Sequence, residues 1–219
     1  MDETVIVVTG AEPLDHDAVA QLPRDAIVIA ADGALDHALA GGLTPAALVG
    51  DLDSISADGL AWAEAHATIQ RHDRDKDQTD TELALSIAAD FNPGRLILVS
   101  GGGDRLDHTL AAIGALGHPT VTSIPIVEAW WGGQHIRVLH GPGRLSFDVV
   151  PGTTISLLAT HGRCTGVSIT GARWPLESDR LEPLAGRGVS NIASDPQIEV
   201  TVSEGVLTIF TYAAEQQRT

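Results

Sequence analysis

The chain of 219 residues has a single cysteine, a single lysine and no apolar run approaching the length of about 18 residues that a membrane span needs. Cys164 alone can form no internal disulfide and offers no zinc cluster. Basic residues are scarce: 13 Lys and Arg stand against 29 Asp and Glu, a net charge of −16. Binding to nucleic acid or to an anionic membrane draws on clustered Lys and Arg, so that balance excludes both as partners. The nine histidines, His108 among them, show no metal-ligand spacing and read as structural or exposed. Met1-Asp2-Glu3 is acidic where a secretory leader starts basic, and a cytoplasmic, reducing location is the expectation. No repeat or low-complexity segment is present, and only the tail after Ala213 reads as disordered.

What the chain does have is acid, unevenly placed: 20 of its 29 carboxylates fall in the first 110 residues. Two clusters stand out, Gly50-Asp51-Leu52-Asp53-Ser54 and Asp73-Arg74-Asp75-Lys76-Asp77-Gln78-Thr79-Asp80. Like charges a few ångström apart raise one another's pKa unless a cation lies between them, and hard carboxylate oxygens are the ligands Mg2+ prefers. The two clusters together are therefore expected to form a divalent-metal site. Each has a plainer explanation by itself. Asp-rich turns occur because Asp bonds its own backbone. Thr79 with Glu82 forms a capping box ahead of the helical set Leu83, Ile87, Ala88 and Phe91, which leaves Asp80 in a first turn whose dipole favours a carboxylate anyway. Lys76, the only lysine, is expected to act as a point charge for phosphate.

Short β-branched runs alternate with helical patterns over the first part of the chain. Strands are expected at 4–9, 26–31, 48–50, 68–71 and 96–100, with helices near 17–22 and over 34–40, 57–65, 80–91 and after Arg105. Such alternation means a mostly parallel sheet with helices on both faces, and Asp32 and Asp51 then sit where strands end, at the carboxyl edge where ligands bind. The turn Ser100-Gly101-Gly102-Gly103-Asp104-Arg105-Leu106-Asp107-His108 enters a helix and offers backbone N–H groups to an anion. Arg105 can fork onto a phosphate, and Asp107 can anchor a sugar hydroxyl or the arginine itself. From Gly132 onward helical periodicity gives way to short β runs separated by Pro and Gly turns, which reads as a β-sandwich. The fold class is thus a three-layer α/β domain over 1–131 followed by an all-β sandwich over 132–219. Trp130 and Trp131 are expected to pack between the two.

Five segments in order carry a resemblance: Ala31-Asp32-Gly33-Ala34, Gly50-Asp51-Leu52-Asp53-Ser54, Asp75-Lys76-Asp77-Gln78-Thr79-Asp80, Gly103-Asp104-Arg105-Leu106-Asp107-His108 and Gly188-Val189-Ser190-Asn191. Together they resemble the motifs of the thiamine pyrophosphokinase (thiamine diphosphokinase) family. The resemblance implies transfer of a pyrophosphoryl group from ATP to thiamine, giving AMP and thiamine diphosphate. It also implies a homodimer whose active sites lie between the first domain of one subunit and the second of the other. Asp51, Asp53 and Asp80 are carried over as metal ligands for Mg2+. Asp32, Lys76, Gln78, Arg105 and Asp107 match the ATP and phosphate motifs, and Lys76 and Arg105 are expected to take up charge as AMP leaves. Ser190 and Asn191 match the thiamine side, where a Trp174 face would suit a thiazolium cation, although the same tryptophan could be sandwich core. The chain departs from the family pattern at Ala34, Leu35, Asp36 and Ala112, where Gly, Ala, Asn and Asn are usual. A metal-dependent nucleotide phosphohydrolase and a non-catalytic nucleotide- or thiamine-binding regulator stay open beside the kinase.

Overall fold

The computed structural model describes residues 3–103 and 105–212; Asp104 of the glycine-rich turn, the first two residues and the tail after Tyr212 lie outside the described residues. The chain divides into two units, Met1–Gly133 and Gln134–Thr219. Among the described residues no helix is long and apolar enough to cross a membrane.

In the first unit, strands β1 (Thr4–Thr9), β2 (Ile27–Ala31), β3 (Ala47–Gly50), β4 (Thr68–Arg71), β5 (Arg95–Ser100) and β6 (Ile126–Trp131) lie in the order β6-β5-β1-β2-β3-β4. All the pairs are parallel. Helices α1 (His16–Ala20), α2 (Ala34–Ala40), α3 (Ala57–His66), α4 (Asp80–Asp90) and α5 (Leu106–Ala115) make the crossovers. Strand residues alternate between the two faces of the sheet, so both must be covered for a parallel sheet to be stable. Ile6, Val8, Ile97 and Val99 pack with Ala34 and Ala38 of α2 on one side. Val5, Val7, Leu96 and Leu98 point the other way and are as fully buried, and α4 packs on β1, β2 and β3. Each such side chain is worth about 1.5–3 kcal/mol on burial. Small residues of α2 and α4 (Ala34, Ala38, Ala84, Ala88) let the helices come close to the sheet.

The order reverses between β1 and β5: the chain runs outward through β2, β3 and β4, returns through α4 to β5, and continues in the opposite sense to β6. That reversal opens a crevice beyond the carboxyl ends of the strands. Helix α4 is placed to feed it by the expected capping box, in which Thr79 Oγ1 accepts from Glu82 N at 3.2 Å and Thr79 N donates to Glu82 Oε2 at 2.7 Å.

The second unit contains β7 (Gln134–His140), β8 (Gly143–Asp148), β9 (Thr154–Leu158), β10 (Cys164–Thr170), β11 (Leu176–Leu181), β12 (Asn191–Ile192), β13 (Gln197–Val202) and β14 (Val206–Tyr212). They form antiparallel sheets ordered β12-β9-β14-β7 and β11-β10-β13-β8. Ile155, Leu157, Leu207 and Ile209 from the first sheet share one core with Val167, Ile169, Ile198 and Val200 from the second, the expected sandwich.

Three strands were not legible in advance. In β6 the run is interrupted by Glu128, whose carboxylate is answered by Arg95 Nε of β5 at 2.9 Å. In β11, Leu-Glu-Ser-Asp-Arg-Leu reads as loop because it is an edge strand, where charged residues keep the open ladder from pairing with another chain. Its pairing with β10 shifts register twice, and Ser178 adopts φ +56°. The two-residue β12 is too short to show a period.

Candidate active site

The loops at the carboxyl edge of the first sheet, with the ends of β1, β2 and β6 and the N-terminal turns of α2, α4 and α5, line one open cleft of about 630 Å³. Its lining runs from Thr9 and Gly10 after β1, through Asp32, Gly33 and Ala34 after β2, and Asp51, Asp53 and Ser54 after β3. It continues with Arg74, Lys76, Gln78, Thr79, Asp80 and Thr81 at the entry to α4, and with Gly102, Gly103, Arg105, His108, Ala112 and Trp131 beyond β5 and β6. Thr9 Oγ1 and Thr81 Oγ1, 2.5 Å apart, tie the end of β1 to the start of α4.

At the centre, one carboxylate oxygen from each of Asp32, Asp51 and Asp80 lies within 4.8 Å of the other two. Backbone geometry brings them together. Asp32 has φ +48°, a conformation that β-carbon crowding makes costly for a non-glycine residue, and its N–H donates to the Val49 carbonyl at 2.8 Å. Gly50 has φ +150°, and a Cβ there would stand 3.0 Å from Asp32 Cβ and 3.1 Å from Asp80 Oδ1, so glycine leaves the room the acids occupy. Leu52, at φ +65°, folds the chain back so that Asp53 N donates to Asp51 Oδ1 at 3.2 Å.

Asp32 is 9% exposed. Burial pushes its carboxyl above the ordinary value; hydrogen bonds from the Ser54 hydroxyl and the Gly33 N–H oppose this, and the charges of Asp80 and Asp51 add to it. The Ser54 hydroxyl, which donates to Asp32 Oδ2, also accepts from Gly33 N at 3.2 Å, so it ties the β2 and β3 loops together. Asp32 Oδ1 is buried with no hydrogen bond among the described residues; Asp80 Oδ1 has none either, although Lys76 Nζ lies 3.0 Å away as an ion pair. Three hard oxygens converging, one without any partner, fit a small divalent cation.

Asp53 falls outside this group of three: its carboxylate is paired with Arg74, while Asp32, carried over as a nucleotide residue, supplies the third oxygen. Lys76 reaches both clusters, with Nζ 3.0 Å from Asp80 and 4.0 Å from Asp51. Gln78 lines the cleft beside Asp80, and Arg105 lines it at the N-cap of α5. Asp107 is turned to Arg105, whose Nη2 donates to it at 2.6 Å. That guanidinium holds the Asp107 carboxyl down at about 2.

Several residues lining the cleft escaped the sequence reading. Ser54 had no assigned role, although it sits inside the acidic motif. His37 and His108 line the cleft, and the position of His108 in the first turn of α5 was the available signal. Trp130 and Trp131 have separate placements: Trp130 packs on the cluster around Ile97 and Val99, whereas Trp131 lines the cleft. Ala34 and Ala112 line it too, and Asp36 has a structural use, accepting from Ser56 N at 2.8 Å and Ser56 Oγ at 2.7 Å where Ser56 caps α3.

The residues assigned to the thiamine side lie in the second unit. Asn191 is buried and its carboxamide is fully engaged: Oδ1 accepts from Trp174 N at 3.0 Å and Ile192 N at 2.9 Å, and Nδ2 donates to the Trp174 carbonyl at 2.6 Å. Ser190 is exposed at φ +62°, with its N–H on Ser156 Oγ at 3.1 Å. Trp174 is 52% exposed, so it is not sandwich core, and the Arg173 guanidinium lies 5.0 Å from its ring centroid.

Comparison with known proteins gives the same division. Residues 20–127 match the family model "Thiamin pyrophosphokinase, catalytic domain", and residues 140–207 match "Thiamin pyrophosphokinase, vitamin B1 binding domain". The fold is similar to the crystal structure of thiamine pyrophosphokinase from Bacillus subtilis, with TM-score 0.83 and 22% identity over 96% of this chain and 99% of that one. It is also similar to the enzyme of Geobacillus thermodenitrificans (TM-score 0.77, 22% identity, 96% and 97% covered). The Candida albicans thiamin pyrophosphokinase gives TM-score 0.79 at 16% identity, with 96% and 89% covered. No curated protein matches the chain by sequence.

Proposed function

This chain belongs to the thiamine pyrophosphokinase family, and we propose that it transfers a pyrophosphoryl group from ATP to thiamine, giving AMP and thiamine diphosphate. The observation that carries the reading is the meeting of Asp32, Asp51 and Asp80 with Lys76 at the carboxyl edge of the sheet, inside the segment matched to the catalytic domain. A net charge of −16 leaves few cations to receive a polyphosphate, and the cleft gathers three of them, Arg74, Lys76 and Arg105.

Asp32, Asp51 and Asp80 would hold Mg2+, with Asp53 able to join only by exchanging Arg74. Bound there, the metal supplies charge neutralisation of phosphate oxygens. The chain's own groups do the rest. In-line attack of the thiamine hydroxyl on the β-phosphorus needs positioning and charge acceptance more than covalent help. Lys76 and Arg105 take charge developing on the leaving AMP, the turn at Gly102 and Gly103 exposes backbone to phosphate, and Gln78 holds a phosphate oxygen. An aspartate of the cluster receives the proton of the hydroxyl. Asp107 keeps the Arg105 guanidinium oriented through two hydrogen bonds.

On the thiamine side, the exposed face of Trp174 receives the thiazolium, and Asn191 and Ser190 shape its surroundings. Two chains pair so that the second unit of one completes the cleft of the other.

One assay tests this reading: ATP and Mg2+ with and without thiamine, products resolved. AMP and thiamine diphosphate formed only when thiamine is present supports the kinase. Thiamine-independent breakdown of ATP assigns the cleft to a phosphohydrolase, and no turnover leaves a binding protein.

A further inference from the structure

The loop between β4 and α4 carries the only lysine of the chain, and it aims two cations at the acids of the cleft. Lys76 Nζ is 3.0 Å from Asp80 Oδ1 and 4.0 Å from Asp51 Oδ2, with its side chain only 16% exposed. Arg74 is paired with Asp53. Of the four aspartates that line the cleft, three are therefore faced by cations from one short segment, and only Asp32 is left to hydroxyl and backbone donors. The crowding expected from the sequence is relieved from within: carboxylates this close would otherwise raise one another's pKa and strain the loops that carry them.

A divalent cation drawn to these oxygens does not enter a vacant anionic site. It competes with an ammonium and a guanidinium already in place. Once displaced, a lysine on a flexible four-carbon stem is a mobile point charge at the mouth of a phosphate site, and relocating it costs little beyond its ion pairs. We propose that Lys76, supported by Arg74, is a built-in counter-ion: it holds the acidic cluster together in the nucleotide-free chain, weakens metal binding there, and passes to the phosphates when metal takes its place. Metal and nucleotide then bind with positive coupling, because each removes the partner that Lys76 would otherwise keep from the other. Linkage makes the effect reciprocal, and such couplings usually span about 5- to 150-fold. The proposal rests on the reading of the cleft as a metal and phosphate site.

The single lysine makes a direct test possible. Protein labelled with 13Cε-lysine should give one side-chain resonance, and titration of the nucleotide-free chain with MgCl2 should move it saturably. Free Mn2+ counted by electron paramagnetic resonance should show Lys76→Met binding the ion about 5- to 150-fold more tightly than wild type without nucleotide. ATP binding in EDTA should weaken in the same variant. Lys76→Gln serves as the second variant, and circular dichroism checks that each is folded. A lysine resonance that stays still throughout the MgCl2 titration although the chain binds Mn2+ in the separate resonance assay, or a Lys76→Met chain that binds Mn2+ no more tightly than wild type, overturns the counter-ion role and leaves the metal site standing. Absence of protein-bound Mn2+ in wild type, Lys76→Met and Asp51→Asn alike overturns the metal reading as well.

Discussion

The carboxamide of Asn191 is laid along the peptide of Trp174, accepting its N–H at 3.0 Å and donating to its carbonyl at 2.6 Å. The side chain thus extends, by one residue, the pairing that Arg173 N already makes with the Ile192 carbonyl of β12 at 2.8 Å, and it fixes the backbone carrying an exposed indole. Asn191→Ala strands a donor and an acceptor at Trp174, each costing about 1–3 kcal/mol when buried. The melting temperature should fall by several degrees, at about 2–4 °C per kcal/mol for a chain of this size. If thiamine uses Trp174, its KM should rise more than that of ATP. An unchanged melting temperature would show that the two bonds do not form in solution.

At the acidic cluster, Asp51→Asn should abolish turnover while the chain stays folded. The amide keeps an oxygen to accept from Asp53 N but removes a charge from oxygens lying within 4.8 Å of one another. Metal-free stability should hold or gain by up to about 1 kcal/mol, which corresponds to about 2–4 °C. If the cluster holds Mg2+, adding the ion should raise the melting temperature of the wild type and leave that of the variant unchanged. Near-normal activity of this variant at saturating Mg2+ would remove Asp51 from the metal site.

The Arg105 and Asp107 pair should be visible in a pH titration. Asp107 titrates at about 2 in the folded chain, below its ordinary 3.8, because of the neighbouring guanidinium. A depressed carboxylate contributes stability that is present above 3.8 and lost as the pH falls through about 2. Both side chains are largely exposed, and solvent screening leaves that contribution small. The titration is the better observable. Side-chain carboxyl NMR should show Asp107 returning toward 3.8 in Arg105→Gln; a wild-type value already near 3.8 would mean the pair is open in solution.

Subunit sharing has its own test, since Asp51 lies in the first unit and Asn191 in the second. Provided that Asn191→Ala alone is badly impaired, co-refolding it with inactive Asp51→Asn should restore activity, because a mixed dimer has one site with both halves intact. Random pairing makes half the dimers mixed, each with one good site of two, so roughly a quarter of wild-type activity should return. A monomer by sedimentation under assay conditions, or no recovery after demonstrated subunit exchange, would place thiamine in a cleft built by one chain.

Local chemistry was legible in the sequence wherever it depends on neighbours along the chain. The strand and helix periods, the Thr79 and Glu82 capping box, and the placement of Asp32 and Asp51 at strand ends all follow from side-chain spacing over a few residues. So did the need for a cation among the aspartates, because charge repulsion is set by composition and proximity. Lys76 with Asp80 and Arg105 with Asp107 are pairs of near neighbours in sequence, but the pairings between distant acids and cations were decided by tertiary structure. Asp53 and Arg74 are 21 residues apart and meet because β3 and β4 are adjacent and end at the same edge. Asp32 joins Asp51 and Asp80 because strand order, invisible in any local window, puts β2 beside β3 and returns α4 across both. Trp131 reaches the cleft for the same reason, through a sixth strand whose Glu128 looks out of place until Arg95 of the adjacent strand is set against it. Periodicity reports which way a side chain points, and only the three-dimensional arrangement reports what it meets.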